Sequence, residues 1–130
     1  MPQLEKGGKW VFGWSIVGAG GEICIPPAAF SEYGFRVGSE VLFLRGSRRS
    51  GGLIVGLPET LAQSKISLQS RVFERGCIEA GGRIKIPENV GVNPGSRLLV
   101  VRGSGLALSF LARGPIVEIA QNHPEIEVFI

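Results

Sequence analysis

Cationic side chains recur along two predicted strands, and their chemistry suits contact with phosphate. Arg83 and Lys85 alternate along a short strand, so the period of two places both on its outward face. We expect Arg71 and Arg75, on the preceding strand, to extend this positive surface. Such a surface would bind phosphate oxygens through salt-dependent contacts.

A second interpretation of Arg83 is structural. In it, Arg83 pairs with Glu79 and fixes the Gly81–Gly82 turn between them. Gly20 and Gly21 form the equivalent turn earlier in the chain. Glycine suits such turns because it adopts positive φ at no steric cost. The two interpretations are compatible if one guanidinium makes both contacts.

Arg48 and Arg49 form the densest basic pair, in a turn rich in Gly and Ser. A flexible basic loop can reach a nucleic-acid backbone. The simpler interpretation is a solvated loop with no ligand.

Three aromatic side chains, Trp10, Phe12 and Trp14, alternate along the first predicted strand and should share one face. If exposed, they could stack on bases or form a partner interface. We expect them to be buried in the core.

The chain lacks the sets of residues that catalytic and metal-binding sites usually need. The chain has no Asp and one His, His123, so a Ser–His–Asp set cannot be assembled. The Gly-rich segments 18–21 and 103–105 lack the dinucleotide-binding spacing. Cys24, Cys77 and His123 lack the spacing of a zinc site. We therefore expect no enzyme activity, no metal and no cofactor.

The composition indicates a turn-rich, mostly β protein. Gly accounts for 20 of the 130 residues, about twice its usual share, and Gly disfavours helix interiors. The length fits one domain over 1–130. The hydrophobic fraction of 44% excludes a disordered chain. The net charge of +3 permits contact with nucleic acid without requiring it.

The two cysteines fit a reducing compartment, and the sequence also allows a single disulfide between them. The first residues lack the apolar region of a signal peptide. No apolar run reaches the length of about 18 residues that a membrane span needs. We expect a cytoplasmic protein without membrane contact.

Two segments of the chain recur in the same order. Residues 17–26 (VGAGGEICIP) match residues 78–87 (IEAGGRIKIP) at six of ten positions, and residues 34–47 match 91–104 at seven of fourteen. The match divides the chain into repeat one, a linker, repeat two, and a C-terminal helix and strand. Their approximate ranges are 9–57, 58–70, 71–112 and 115–130.

Each repeat predicts two strands, a short helix and a strand hairpin. Polar and apolar residues alternate in 22–25 and 83–86, which predicts half-buried strands. The apolar runs 41–44 and 98–101 are typical of strands covered on both faces. Pro27 and Pro115 suit the first turns of helices.

This repeat resembles the AbrB/SpoVT family of swapped-hairpin DNA-binding domains, and two copies in one chain resemble its MraZ branch. The best stretch is 78–87, where MraZ-type repeats carry Asp-x-x-x-Arg. Glu79 stands for that Asp and Arg83 matches the Arg. Repeat one has Gly18 and Glu22 at these positions.

The resemblance implies a closed swapped-hairpin β-barrel of two β-β-α-β-β repeats with short helices. One chain could close it as a pseudo-twofold monomer, and a homo-oligomer would be optional. The implied function is transcription regulation by binding duplex DNA with a basic barrel face. The expected DNA contacts are Arg83, Lys85, Arg75, Arg71, Arg48 and Arg49.

The chain departs from the family at the short helix, where many members carry an arginine pair. Repeat one has Ala28–Ser31 there, and repeat two lacks most of the helix. The alternative function is therefore a protein-binding module, antitoxin-like or an assembly domain, on the same barrel without DNA contacts.

Overall fold

The computed structural model describes residues 3–4, 9–63, 71–104 and 107–130, and strands dominate its regular structure. The strands, in chain order, are β1 Val11–Ile16, β2 Glu22–Cys24, β3 Glu40–Arg45, β4 Leu53–Gly56, β5 Val72–Cys77, β6 Arg83–Lys85, β7 Arg97–Ser104, β8 Ala107–Leu111 and β9 Val128–Phe129. The mostly β prediction is confirmed at this level.

The short helices begin at proline, which lacks an N–H and has the φ of a first helical turn. They are α1 Pro27–Glu32, α2 Pro58–Leu61 and α3 Pro115–Ala120, and a 3₁₀ turn spans Glu88–Val90. The helices predicted after Pro27 and Pro115 are both present. Residues 64–70 of the predicted linker, and 105–106 in the second hairpin, lie outside the described residues.

Seven strands form one mixed sheet in the order β5-β3-β4-β8-β7-β1-β9, and β2 pairs with β6 in a separate two-stranded sheet. The pairs are antiparallel except for β9, which runs parallel to β1. The closed barrel that the resemblance implies is not found in the described ranges. Strands β5 and β9 are the edges of the large sheet there, and β9 reaches its edge because the C-terminal segment lies along β1.

The main core lies between the two sheets. Phe43 and Phe110 of the large sheet belong to the same buried cluster as Ile23 and Ile84 of the small one. All four side chains are at most 1% exposed. The small sheet is therefore held by apolar packing on its inner side, which leaves its outer side for polar residues.

The opposite face of the large sheet is covered by helices. Trp14 and Leu99 pack with Val117 of α3 in a second cluster, and Leu42 packs with Leu61 of α2 in a third. Strands β3 and β7 are thus buried on both faces, as their apolar runs predict.

The expectation that Trp10, Phe12 and Trp14 share one face is wrong. A register shift between Val11 and Gly13 reverses the alternation, so Phe12 joins the main core while Trp14 faces α3. Phe12 and Trp14 are buried as expected, whereas Trp10 is 41% exposed, so the expected burial is wrong for Trp10. A bulge has this effect because one extra residue on a strand inverts which side chains point inward.

Both cysteines are free thiols, with Cys24 half-buried and Cys77 exposed, so the disulfide left open by the sequence does not form. In the ranges that the structure describes, no helix has both the length and the apolar character needed to cross a membrane.

Candidate nucleic-acid interface

The turn before β6 is closed by main-chain hydrogen bonds. The Glu79 N–H donates to the Arg83 carbonyl at 2.7 Å, and the Gly82 N–H donates to the Glu79 carbonyl at 3.1 Å. Gly81 and Gly82 have φ of 80° and 72°, which glycine adopts readily. Among the described residues no ion pair joins Arg83 to Glu79. The backbone, and not that side-chain pair, holds the turn.

The matching turn in repeat one has the same main-chain pattern. The Gly18 N–H donates to the Glu22 carbonyl at 2.8 Å, and the Gly21 N–H donates to the Gly18 carbonyl at 2.9 Å. Gly21 has φ of 81°. The Glu22 carboxylate lies over this turn, since a Cβ built at Gly20 would come within 2.5 Å of it. A carboxylate therefore occupies the surface beside β2.

The outward side of the small sheet, which we call the β2–β6 face, mixes charges. Lys85 lies opposite Glu22 and Arg83 lies opposite Cys24 in the antiparallel register. The Arg83 Nη2 donates to the main-chain oxygen of Ile130 at 2.7 Å. One of the two expected cations is thus already hydrogen-bonded, and the other lies across from a glutamate.

A groove of about 650 Å³ beside this face contains Arg75 and Lys85, but also several carboxylates. The acidic residues that line it are Glu74, Glu79 and Glu88. Arg75 Nη1 also pairs with Glu40 Oε1 at 3.2 Å. A phosphate that entered this groove would approach carboxylates as well as cations, which reduces the net attraction.

The loop between β3 and β4 is fixed against the end of β8. The N–H groups of Ala112 and Arg113 each donate to the Ser50 carbonyl at 2.9 Å. Arg113 Nη2 donates to the Arg48 carbonyl at 2.7 Å. The basic loop predicted from sequence therefore has a defined position, which carries Arg48 and Arg49 on its outside.

Two grooves flank this loop, and the described residues contribute three cations to each. Lys9, Arg49 and Arg71 line a groove of about 520 Å³ on the α3 side. A groove of about 270 Å³ lies on the other side, with Arg45, Arg48 and Arg113 in its lining. Among the described residues no acidic side chain lines either groove. We call the surface formed by these six residues the hairpin-loop end.

The cations of the hairpin-loop end differ in whether their side chains already contact another group of the protein. The Arg45 guanidinium lies 4.6 Å from the centre of the Phe73 ring, and Arg113 bonds the loop as described. In the described part of the chain, the side chains of Lys9, Arg49 and Arg71 make no hydrogen bond or ion pair. These three charges are available to a ligand.

The six expected DNA contacts do not form one surface. Arg48, Arg49 and Arg71 lie at the hairpin-loop end, whereas Arg75 and Lys85 share the acidic groove. Arg71 directly precedes β5 and Arg75 lies within it, so the strand carries one residue to each region.

Three members of the hairpin-loop end, Lys9, Arg45 and Arg113, were not among the six expected DNA contacts. Arg45 recurs as Arg102 at the same repeat position, and such a recurrence by itself favours a structural role at the strand end. Arg113 follows β8 and belongs to no motif. Lys9 had one signal, as a basic residue ahead of the first strand.

No cluster of three His, Cys or Glu side chains suited to a metal ion occurs within the described ranges. Comparison of the sequence with protein-family models and with curated proteins finds no match in either set. The site must therefore be interpreted from its own geometry.

Proposed function

We propose that the chain is a DNA-binding transcription regulator that contacts the backbone of duplex DNA through the hairpin-loop end. The observation that carries the proposal is the pair of grooves around one loop, which six cations line without a carboxylate among the described residues. Phosphate contacts supply most of the affinity in such binding and position the protein on the duplex.

The proposal moves the main contact away from the β2–β6 face. Around Arg75 and Lys85, nearby glutamates offset the attraction for phosphate. The Arg83 guanidinium has a main-chain partner. We assign these residues a secondary, long-range contribution through their charge.

We also propose that two repeats exchange hairpins in the manner of the AbrB/SpoVT family. The strand pairs support this, because β1 pairs with the second hairpin and β5 with the first. Reciprocal hydrogen bonds add support: the Ile25 N–H donates to the Gly82 carbonyl at 2.9 Å, and the Ile86 N–H to the Gly21 carbonyl at 2.8 Å. Under this proposal, the two repeats of one chain form the structure that two chains of a dimer form in most members of that family.

The test is a salt titration of binding to a duplex of about two helical turns. Six phosphate contacts predict that log affinity falls against log salt with a slope of about −5. The double variant Arg48→Glu/Arg49→Glu should lower the affinity by more than about tenfold and make the slope shallower by about 2. The matched control is Arg75→Glu/Lys85→Glu, with the same change in charge.

The control should lower the affinity by less than about threefold, through long-range charge alone. Circular dichroism should show that both variants fold. Equal losses in the two variants would overturn the assignment to the hairpin-loop end. Absence of binding at micromolar protein and low salt would overturn DNA binding altogether.

A second candidate function is a protein-binding module that uses the groove around Arg75 and Lys85. The mixed charges of that groove favour it, because alternating signs complement a protein surface better than a polyanion. A pull-down that recovers one partner with the parent chain, but not with Arg75→Glu/Lys85→Glu, would support it. The same experiment with Arg48→Glu/Arg49→Glu should retain the partner.

A further inference from the structure

The groove on the α3 side of the hairpin loop has three cations from three separate segments. Lys9 precedes β1, Arg49 lies in the loop, and Arg71 precedes β5. Their side chains are exposed and have no hydrogen-bonding or ion-pair partner in the described ranges. Like charges brought to one groove repel each other, and an anion between them would relieve that repulsion.

The opposite groove is a weaker candidate for a small anion. Its Arg45 lies over the Phe73 ring, and its Arg113 donates to the Arg48 carbonyl. Its volume of about 270 Å³ is also roughly half that of the α3-side groove. Anion binding by the two grooves can thus be compared on opposite sides of one loop.

The α3-side groove also has an apolar wall. Ile116 and Ile119 of α3 line it and are half-buried, as is Ile54 of β4. Other α3 side chains, Val117 and Ala120, are buried in the cluster beneath the helix. Ile116 also packs against that cluster, and the exposed parts of Ile116 and Ile119 form the apolar wall of the groove.

We propose that this groove binds a phosphate monoester with an apolar or planar body. The phosphate would lie among Lys9, Arg49 and Arg71, and the body would lie against Ile116 and Ile119. The groove volume of about 520 Å³ is within the range of about 300–1,000 Å³ for small-ligand sites. A polar end and an apolar wall are the two features that such sites combine.

The binding itself does not rest on the proposed DNA contact. Where both proposals hold, a ligand in this groove would occupy three of the six cations that contact DNA. The ligand would then act as an effector that releases the duplex. Direct titration without DNA separates the two proposals.

The test is calorimetric titration of the full chain with hexyl phosphate, adenosine monophosphate and inorganic phosphate. At least one monoester should bind about tenfold more tightly than inorganic phosphate, which is about 1.4 kcal/mol from the apolar wall. Tighter binding of hexyl phosphate indicates an aliphatic body, and tighter binding of the nucleotide indicates a nucleoside. Equal affinity for all three probes, or no monoester binding at millimolar concentration, overturns the proposal.

Matched variants locate the site. Arg49→Gln should weaken the preferred monoester by about tenfold, whereas Arg48→Gln, on the opposite side of the same loop, should leave it unchanged. Ile119→Ser should weaken the monoester but not inorganic phosphate, and Ile116→Ser provides the same readout if Ile119→Ser fails to fold. Equal effects of Arg48→Gln and Arg49→Gln would overturn the assignment to this groove. Loss of DNA binding with monoester binding intact would leave this proposal standing and count against the proposed function alone.

Discussion

The hairpin-loop end and the β2–β6 face both contain arginine and lysine, but only the second surrounds them with carboxylates. Three glutamates line the groove of Arg75 and Lys85, whereas none of the described residues lining the grooves at Arg48 and Arg49 is acidic. The presence of basic residues on a strand face is therefore not enough to predict an anion site. The counter-charges that folding brings close decide how strongly a phosphate is attracted.

The largest expected difference between the two regions concerns their glycines. Gly52 has φ of 66°, and a Cβ there would overlap the main-chain oxygen of Phe110 on β8. Gly81 has φ of 80° with nothing within 4 Å of an added Cβ. We expect Gly52→Ala to reduce the free energy of unfolding by more than about 3 kcal/mol, and Gly81→Ala by about 1–2 kcal/mol.

Urea unfolding measures both values. Similar losses in the two variants would mean that the hairpin loop is not packed against β8 as described, and that its cations lack a fixed position.

The next largest expected effect is on DNA affinity, when a carboxylate is introduced at the hairpin-loop end. Ser47 lines both grooves and its Oγ accepts a hydrogen bond from the Ser50 N–H at 3.1 Å. Ser47→Asp keeps an acceptor for that bond and adds a negative charge, so we expect DNA affinity to fall by about tenfold at low salt. Ala80→Asp, in the exposed turn before β6, is the matched control and should change affinity by less than about twofold. A larger effect of Ala80→Asp would reverse the comparison.

A smaller effect concerns two arginines that each donate to a main-chain oxygen, one in each region. Arg113 bonds the Arg48 carbonyl and Arg83 bonds the Ile130 oxygen, both at 2.7 Å. We expect Arg113→Ala and Arg83→Ala each to cost about 1 kcal/mol in the free energy of unfolding. Arg113→Ala should weaken DNA binding by several-fold, because it removes a cation and the side-chain hydrogen bond to the loop. Arg83→Ala should weaken it by less than about twofold, through long-range charge alone. Equal effects on DNA would place both regions in the interface.

The smallest expected effect is a pH dependence of stability. It should be present for the ion pair of Arg102 and absent for its repeat equivalent, Arg45. Arg102 Nε donates to Glu32 Oε2 at 2.7 Å, and its Nη2 to Oε1. These hydrogen bonds hold the pKa of Glu32 below its usual value. The stability from the pair is therefore present above the ordinary glutamate pKa and is lost as the pH falls through the lowered one.

Glu32→Gln should accordingly lower Tm slightly at neutral pH, and the difference from the parent chain should vanish in acid. Glu59→Gln is the control, since Glu59 is exposed and makes no ion pair in the described ranges. Arg45 lies over Phe73 instead of a carboxylate, so Arg45→Gln should show no such acid dependence. A Tm difference for Glu32→Gln that stays constant across this pH range would refute the assignment.

Much of the local structure was predictable from short stretches of sequence. Alternation predicted β2 and β6, the apolar runs predicted β3 and β7, and prolines predicted where α1 and α3 begin. These features follow from neighbouring residues, because strand alternation and the fixed φ of proline act over a few positions. The face of Trp14 was not predictable in this way, since a bulge between Val11 and Gly13 inverted the alternation.

The sequence by itself determined which residue types were present: ten arginines, no aspartate, and glycines where turns need positive φ. Only the tertiary structure decided which charges became neighbours. It brought Glu40 to Arg75 across β3 and β5, and it placed Lys9, Arg49 and Arg71 around one groove without a described carboxylate. The reason is physical: strand order and loop docking depend on contacts between distant segments, which no local spacing of residues specifies.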